Sequence, residues 1–341
     1  MRVFVAWRRI SARTRDLAGS LRAKLVFIRS GPPYIRACIE TKRVLEELRP
    51  QTVIVQLPQG PLLYRVAQLR DRLGYVLVAD VHTAMVVHDT LKSLVLNKPF
   101  TRYLRRADIV VVHNRLVARL VEEKIGVEPS RILVVYDPPP RMEPVEEPPF
   151  AKELGEFILV PAGWAADEPL EEIVEAFCAS KASSKYRLVL TGDYGRARRR
   201  ATRIASMCRA VMLTGFLPAP QYNWLVRNAT AVIAATLREY TFLRAAWEAI
   251  VLHKPLLASR TRTMEDLLGA DYPGLFNPRS GDLERLLGGL AEGNLIEELR
   301  ASVARLAERL VPEQRSMLEE LDRRIRELET SKLECGCSFT R

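Results

Sequence analysis

Thr52-Val53-Ile54-Val55-Gln56 is followed by Leu57-Pro58-Gln59-Gly60-Pro61, by a helical pattern over residues 62–73, and by Tyr75-Val76-Leu77-Val78-Ala79-Asp80. Both flanking runs are aliphatic and β-branched with no polar alternation, as expected of parallel strands covered on both faces by helices. Outward from this unit the same alternation predicts strands at Arg2–Trp7, 24–29, 108–113 and 131–136. Ile35–Leu48 reads as a second covering helix, its apolar residues being Ile35, Ile39, Val44 and Leu48. The order breaks at Asp137-Pro138-Pro139-Pro140, with Pro144, Pro148 and Pro149 beyond it, a stretch that can neither stay helical nor feed a sheet ladder. A second alternation then predicts strands at 157–161, 186–191, 210–213, 230–235, 255–259 and 274–276. Residues 295–330 close the chain as a helix rich in Glu–Arg pairs, interrupted near Pro312. The fold class is α/β with two doubly wound sheets: a domain over 1–137, a linker over 138–154, a domain over 155–310, and a helix and tail over 311–341. Ligands of such sheets bind beyond the carboxyl ends of the strands, so the residues just after each strand are the ones to inspect.

A chain of 341 residues with 48% hydrophobic and 27% charged residues has the composition of an ordinary globular protein. No apolar run approaches the roughly 18–20 residues of a membrane-spanning helix, and Met1–Trp7 enters a strand rather than a leader, so a soluble cytoplasmic protein is expected. The charge is lopsided. Residues 1–136 hold 24 Lys and Arg against 11 Asp and Glu, a net +13, leaving 28 against 30 for the rest. Such a field suits a negatively charged partner: an anionic membrane, a phosphorylated substrate or a nucleic acid. The five cysteines, Cys38, Cys178, Cys208, Cys335 and Cys337, have no metal-site spacing, and their odd number argues against a closed disulfide framework. Arg far exceeds Lys, while Asn and Gln are sparse, a bias associated with heat-adapted proteins. Neither Gly-x-Gly-x-x-Gly after the first strand nor a P-loop occurs, which disfavours ordinary dinucleotide and P-loop chemistry.

The most specific segment runs from Ala234 through Arg238-Glu239-Tyr240-Thr241-Phe242-Leu243-Arg244 to Trp247-Glu248-Ala249, then His253-Lys254-Pro255-Leu256-Leu257-Ala258-Ser259. It resembles the strand–loop–helix–strand signature of GT-B glycosyltransferases of the family 4, or group 1, type. The resemblance implies two Rossmann-like domains facing across a cleft and transfer of a hexose from a nucleotide-sugar donor. In that family a glutamate on the helix binds the nucleotide ribose and the helix start faces the diphosphate, chemistry that suits a carboxylate and unpaired N–H groups respectively. Carried over, Glu248 binds ribose, and Tyr240, Thr241, Phe242 and Leu243 face the donor. The family's second glutamate, eight residues earlier, is here Tyr240, with Glu239 one residue out of register. Gly215 stands where family members pass the nucleotide base. The cation pair that usually follows the first strand of the second domain is absent from Gly163–Glu168, which leaves Arg244, Arg238 and Arg196 as candidates for the diphosphate. The run Arg196–Arg200 otherwise reads as a solvated helix face.

His82, directly after the fourth strand, resembles the histidine that these enzymes aim at the donor sugar, and Asp80 is placed to orient it. His88, His113 and His253 read as structural. Residues 53–62, 78–83, 133–139 and 163–168 are together similar to the cytosolic β-mannosyltransferases that extend chitobiosyl-diphosphodolichol, which implies mannose and a lipid-linked acceptor. Residues 85–106 mix Leu91, Leu94 and Val95 with Lys92, Arg102, Arg105 and Arg106, an interfacial pattern that, with Arg9 and Arg13, suggests peripheral contact with an anionic membrane. The resemblance implies no metal and no cofactor, since backbone dipoles and basic side chains manage the leaving diphosphate and no Asp-x-Asp occurs. Nucleic acid is not expected as a partner. Alternatives from other classes are a catalytically silent scaffold of the same fold, a nucleic-acid-binding protein and a nucleotide-sugar epimerase.

Overall fold

The computed structural model describes residues 1–140 and 142–336. The chain divides into two compact units, one made of Met1–Pro138 with the residues from Glu313 onward, the other of Pro139–Pro312.

The first unit runs β1 (Arg2–Trp7), α1 (Ala12–Ser20), β2 (Lys24–Ile28), α2 (Ile35–Leu48), β3 (Thr52–Gln56), α3 (Gly60–Leu73), β4 (Val76–Val81), α4 (Leu91–Leu96), β5 (Ile109–Val112), α5 (Arg115–Leu120) and β6 (Ile132–Val134). Its strands are all parallel in the order β2-β1-β3-β4-β5-β6, so the connection reverses direction between β1 and β3. β3, β4 and β5 are buried throughout, which explains their unbroken apolar sequences. Helix starts carry their own caps: Ser11, Thr90 and Asn114 each accept from a backbone N–H three residues on. At Gly60 a Cβ would stand 2.4 Å from the Leu96 carbonyl oxygen, so only glycine lets the 96–100 segment lie across the start of α3.

The second unit runs β7 (Phe157–Val160), α6 (Leu170–Ala179), α7 (Ala182–Lys185), β8 (Arg187–Thr191), α8 (Arg198–Ala205), β9 (Val211–Gly215), α9 (Ala219–Asn228), β10 (Ala231–Ala234), α10 (Arg244–Val251), β11 (Leu256–Ser259), α11 (Arg262–Leu268), β12 (Leu275–Phe276) and α12 (Asp282–Glu292). Its order, β12-β11-β10-β7-β8-β9, reverses between β7 and β10. Both sheets are therefore of the doubly wound Rossmann-like kind expected from the alternation.

Three expectations need correction. The last helix, α13 (Asn294–Gly336), is continuous through Pro312, and from Glu313 it belongs to the first unit, where Leu321 and Ile325 pack with Phe4, Leu17, Ile54 and Val78. Ile35 and Ile39 are 64% and 62% exposed, because α2 turns Ala37, Thr41 and Leu45 inward instead. Within residues 85–106, read as interfacial, α4 is six residues long and Lys98–Arg106 is a 3-10 helix. Cys178 and Cys208 form a disulfide, their Cα atoms 6.1 Å apart at the end of α6 and just past α8. Counting cysteines gives their parity and not their proximity. Such bonds also occur inside heat-adapted cells, in keeping with the Arg-rich composition. Cys335 falls in α13, and Cys337 lies outside the described residues. Among the described residues no helix is long and apolar enough to cross a membrane.

Candidate active site

In each unit the polar side chains gather at the carboxyl ends of the strands, beside the point where the strand order reverses. In the first unit Gln56 ends β3 and is buried. Its Oε1 accepts from the Ser11 N–H (3.0 Å) and the Thr14 hydroxyl (2.6 Å), and its Nε2 donates to the Arg9 carbonyl (3.0 Å). This anchors the loop from β1 into α1, whose second residue is Arg13. Arg13 is 4% exposed. Its Nε donates to Asp80 Oδ1 (3.0 Å), and its Nη1 donates to Asp137 Oδ1 (2.8 Å) and to the Val135 carbonyl (2.9 Å).

Asp80, near the end of β4, is 1% exposed, and its Oδ2 lies 3.5 Å from Nε2 of His82. Burial by itself would raise the Asp80 pKa, but the Arg13 guanidinium and then His82 hold it well below the usual carboxylate range. Arg13 Nη2, Asp80 Oδ2 and His82 Nε2 are buried and complete no hydrogen bond of ordinary length. The His82 ring meets that of His113 edge-on at 5.9 Å between centroids. His113 follows β5, lies with Nε2 3.2 Å from the Thr83 hydroxyl, and is pushed down to about 3 by burial, then by Arg13 and His82. It is therefore neutral at ordinary pH. A carboxylate–imidazole pair at a sheet edge, with its carboxylate kept ionised, is equipped to hold or move a proton.

In the second unit the loop after β7 is tied to the loop after β10. Asp167 Oδ2 accepts from the Thr236 hydroxyl (2.8 Å), its carbonyl accepts from the Leu237 N–H (2.8 Å), and Arg238 Nε stands 3.5 Å from Oδ1. Glu168 folds back on its own loop to accept from the N–H groups of Gly163 (2.9 Å) and Ala165 (3.2 Å). Between them Trp164 adopts a left-handed φ of 57°, fixed by its indole N–H on the Thr191 carbonyl (3.0 Å). Burial raises the Glu168 pKa, and these backbone donors oppose it. Arg200 clamps the same loop from α8: Nε donates to both oxygens of Glu171 (2.9 and 2.8 Å), and Nη1 donates to the Ala165 carbonyl (2.9 Å). So at least one member of the Arg196–Arg200 run is structural and not a solvated face.

Glu248, on α10, is 6% exposed. Its Oε2 accepts from the Tyr222 hydroxyl (2.6 Å) and its Oε1 from Arg244 Nε (3.0 Å). Burial and the adjacent carboxylate hold the Tyr222 hydroxyl well above its usual pKa. Tyr240, Thr241, Phe242 and Leu243 are half-buried along the loop into α10, with Phe242 6.2 Å from the Trp247 ring. Glu239 is engaged elsewhere, accepting from the Arg262 N–H at the start of α11 (2.8 Å). Gly215, at φ 72°, ends β9 beside the Tyr194 ring, and Arg196 is exposed before α8. β8, which Arg196 follows, and β9 are the second and third strands from β10 in the sheet.

The predicted acceptor residues part company. Arg13 cannot meet a membrane, because it is buried between two carboxylates. Arg9 and Arg102 are exposed, Arg102 lying over the Tyr103 ring at 5.2 Å; Arg105 donates to the Ile125 carbonyl; Arg106 pairs with Asp71; Lys92 belongs to α4. Gln56, Asp137 and Tyr222 were not singled out from the sequence, and His113, read there as structural, lies against His82. Gln56 and Asp137 each end or follow a predicted strand, which is the signal that could have found them, whereas Tyr222 sits mid-helix with none. Among the described residues no group of three or more His, Cys, Asp or Glu stands close enough to hold a metal ion. A groove of about 890 Å³ between the end of α6 and α12 lies away from all these strand ends.

Residues 2–138 match the family model of Glycosyltransferase Family 4. No curated protein matches the chain. Among solved structures it is similar to a glycosyltransferase from Rickettsia africae, at 12% identity over 96% of this chain and 97% of that one, with a TM-score of 0.69. It is similar to Anabaena HepE in complex with UDP and glucose, at 15% identity over 98% and 92%, with a TM-score of 0.67. It also resembles sucrose-phosphate synthase from Thermosynechococcus elongatus, at 14% identity over 91% and 84%, with a TM-score of 0.69. At such identities the structural likeness establishes the shared fold.

Proposed function

We propose that this chain, a glycosyltransferase of GT-B fold with a family 4 domain in residues 2–138, moves a hexose from a nucleotide-sugar donor to a lipid-linked acceptor at a membrane surface. The observation that carries the donor half is Glu248: a buried carboxyl group held by Tyr222 and Arg244, next to the loop at the reversal point of the second sheet. A carboxylate can accept several hydrogen bonds across its two oxygens, a chemistry that suits a ribose diol. The complex of HepE with UDP and glucose supports a nucleoside diphosphate as the donor's leaving part. Mannose is favoured among hexoses by the motif similarity at 133–139 and 163–168.

Support for a membrane acceptor comes from the first unit. Leu91, Leu94 and Val95 on α4 are 78%, 39% and 60% exposed, and they neighbour the exposed Arg102 and Arg105 in a unit of high positive charge. Apolar side chains ringed by cations suit an anionic bilayer, where each cation contributes on the order of 1 kcal/mol. The reading makes the protein peripheral, on the cytoplasmic face.

The test is a thermal-shift panel of GDP, UDP, ADP and their sugar conjugates on wild type and Glu248→Ala, since selective binding raises apparent stability. One nucleotide should shift the wild type and leave the variant unmoved. No shift with any nucleotide would overturn the donor assignment, and equal sedimentation with neutral and anionic vesicles would overturn the membrane assignment.

A further inference from the structure

We infer that Arg13 is a positioning residue for sugar transfer: by fixing the Asp80 carboxylate it decides which nitrogen of His82 carries the proton and how the ring is turned. The inference rests on the reading of His82 as the group nearest the reacting sugar. An imidazole that must present one particular nitrogen needs its other nitrogen committed, and the tautomer follows from that second hydrogen bond. Here the nitrogen that faces Asp80 is Nε2, 3.5 Å from Oδ2 and short of a hydrogen bond of ordinary length; closing that gap commits Nε2 and leaves Nδ1 as the acceptor of the ring.

Asp80 can serve only if it does not rotate. Its Oδ1 is held by Arg13 Nε at 3.0 Å, so Oδ2 is the oxygen left for His82. The guanidinium is itself immobilised from the other side, where Nη1 donates to Asp137 Oδ1 and to the Val135 carbonyl just past β6. Groups from β4 and from the chain just past β6 thus converge on one planar group carried by α1. Asp80, Asp137 and the Val135 carbonyl all lie within hydrogen-bond reach of it, and among the described residues no second lysine or arginine is paired with Asp80. With Oδ1 taken by Arg13, the second oxygen of the Asp80 carboxylate stays turned to His82 Nε2. Lysine at position 13 would keep the charge but lose the planar fork that spans both carboxylates.

The alternative is that Arg13 only ties α1 to β4 and β6. The two are separated by a readout that a structural tie would not move. Full-length protein labelled with ¹⁵N-histidine has four histidines, and His82→Gln assigns the resonances of His82 in long-range ¹H–¹⁵N spectra. Wild type should show His82 in the single Nε2–H tautomer. Arg13→Lys, and Asp137→Asn as a milder variant that loosens Arg13 without touching Asp80, should show mixed tautomers while circular dichroism remains native. Turnover of GDP-mannose or UDP-glucose, whichever the wild type hydrolyses, should fall on the order of tenfold to a hundredfold in kcat with KM for donor unchanged. Asp80→Asn should lose as much, with the double variant losing no more.

A single His82 tautomer in both Arg13→Lys and Asp137→Asn overturns the inference. So does a tautomer change with kcat within twofold of wild type. If the wild type turns over neither donor, the glycosyl-transfer reading falls, while the spectra still decide whether Arg13 governs His82.

Discussion

The buried imidazole of His113 makes stability depend on pH in a way that can be calculated. In the unfolded chain His113 titrates near 6.5, whereas burial beside Arg13 and His82 pushes it down to about 3 in the folded state. As pH falls below the unfolded value, the unfolded chain takes up a proton that the folded chain refuses, so stability is lost on acidification. The other charged groups facing His113 are Asp137 and Asp80, both acidic and both too weak to reverse the effect of burial. Linkage between these two pKa values gives a loss of about 2 kcal/mol between pH 7.5 and pH 5 from this one group. The perturbation is His113→Gln, which keeps a polar partner for Thr83 and cannot protonate. Urea unfolding at both pH values, read by brief thermolysin pulses with peptides from residues 1–138 followed by mass spectrometry, reports the first unit alone. Wild type should lose about 2 kcal/mol more than the variant on acidification. Equal losses would mean that the folded state accommodates the imidazolium, and would refute the assignment of His113 as a neutral wall behind His82.

Two further outcomes are expected in the second unit. Tyr222→Phe removes one of the hydrogen bonds to the buried Glu248 carboxylate and should destabilise that unit by about 2 kcal/mol in urea, the usual cost of a bond to a charged acceptor; a loss below about 0.5 kcal/mol would argue that Arg244 alone satisfies the carboxylate. Cys178→Ser should abolish the mobility difference between reduced and non-reduced protein on a gel and lower stability by about 3.6 kcal/mol, as the chain-entropy account gives for a sequence separation of 30.

The strands were legible because parallel strands sealed on both faces leave no polar alternation to mislead, and β3 to β5 are of that kind. The same rule of looking after each strand brought Asp80 and His82 into view. It failed for α2, where helical spacing alone offers two possible inner faces and Ala37, Thr41 and Leu45 filled the smaller space. Arg13 went astray for a different reason: tallying charge treats every arginine as a surface group, whereas this one is buried by acids 67 and 124 residues away. Tyr222 and Glu248 stand on different helices 26 residues apart, and nothing local announces that they touch. Pro312 was read as a break, yet its chain position near the changeover between units says more than its helix-breaking tendency does.

The return of α13 to the first unit has a consequence for the order in which the protein is made. Leu321 and Ile325 complete a core that begins at Phe4, while Glu329 bonds Arg2 and Thr52, and Lys332 bonds the Tyr75 carbonyl. A nascent chain emerges from its N-terminus, and domains ordinarily fold in that sequence. Here the earliest strands leave the ribosome with one side of their core uncovered, and they stay so until the second unit has been synthesised in full. The first unit to be translated is thus the last to be finished, and a fragment cut at residue 138 would carry the family 4 segment without the helix that seals it.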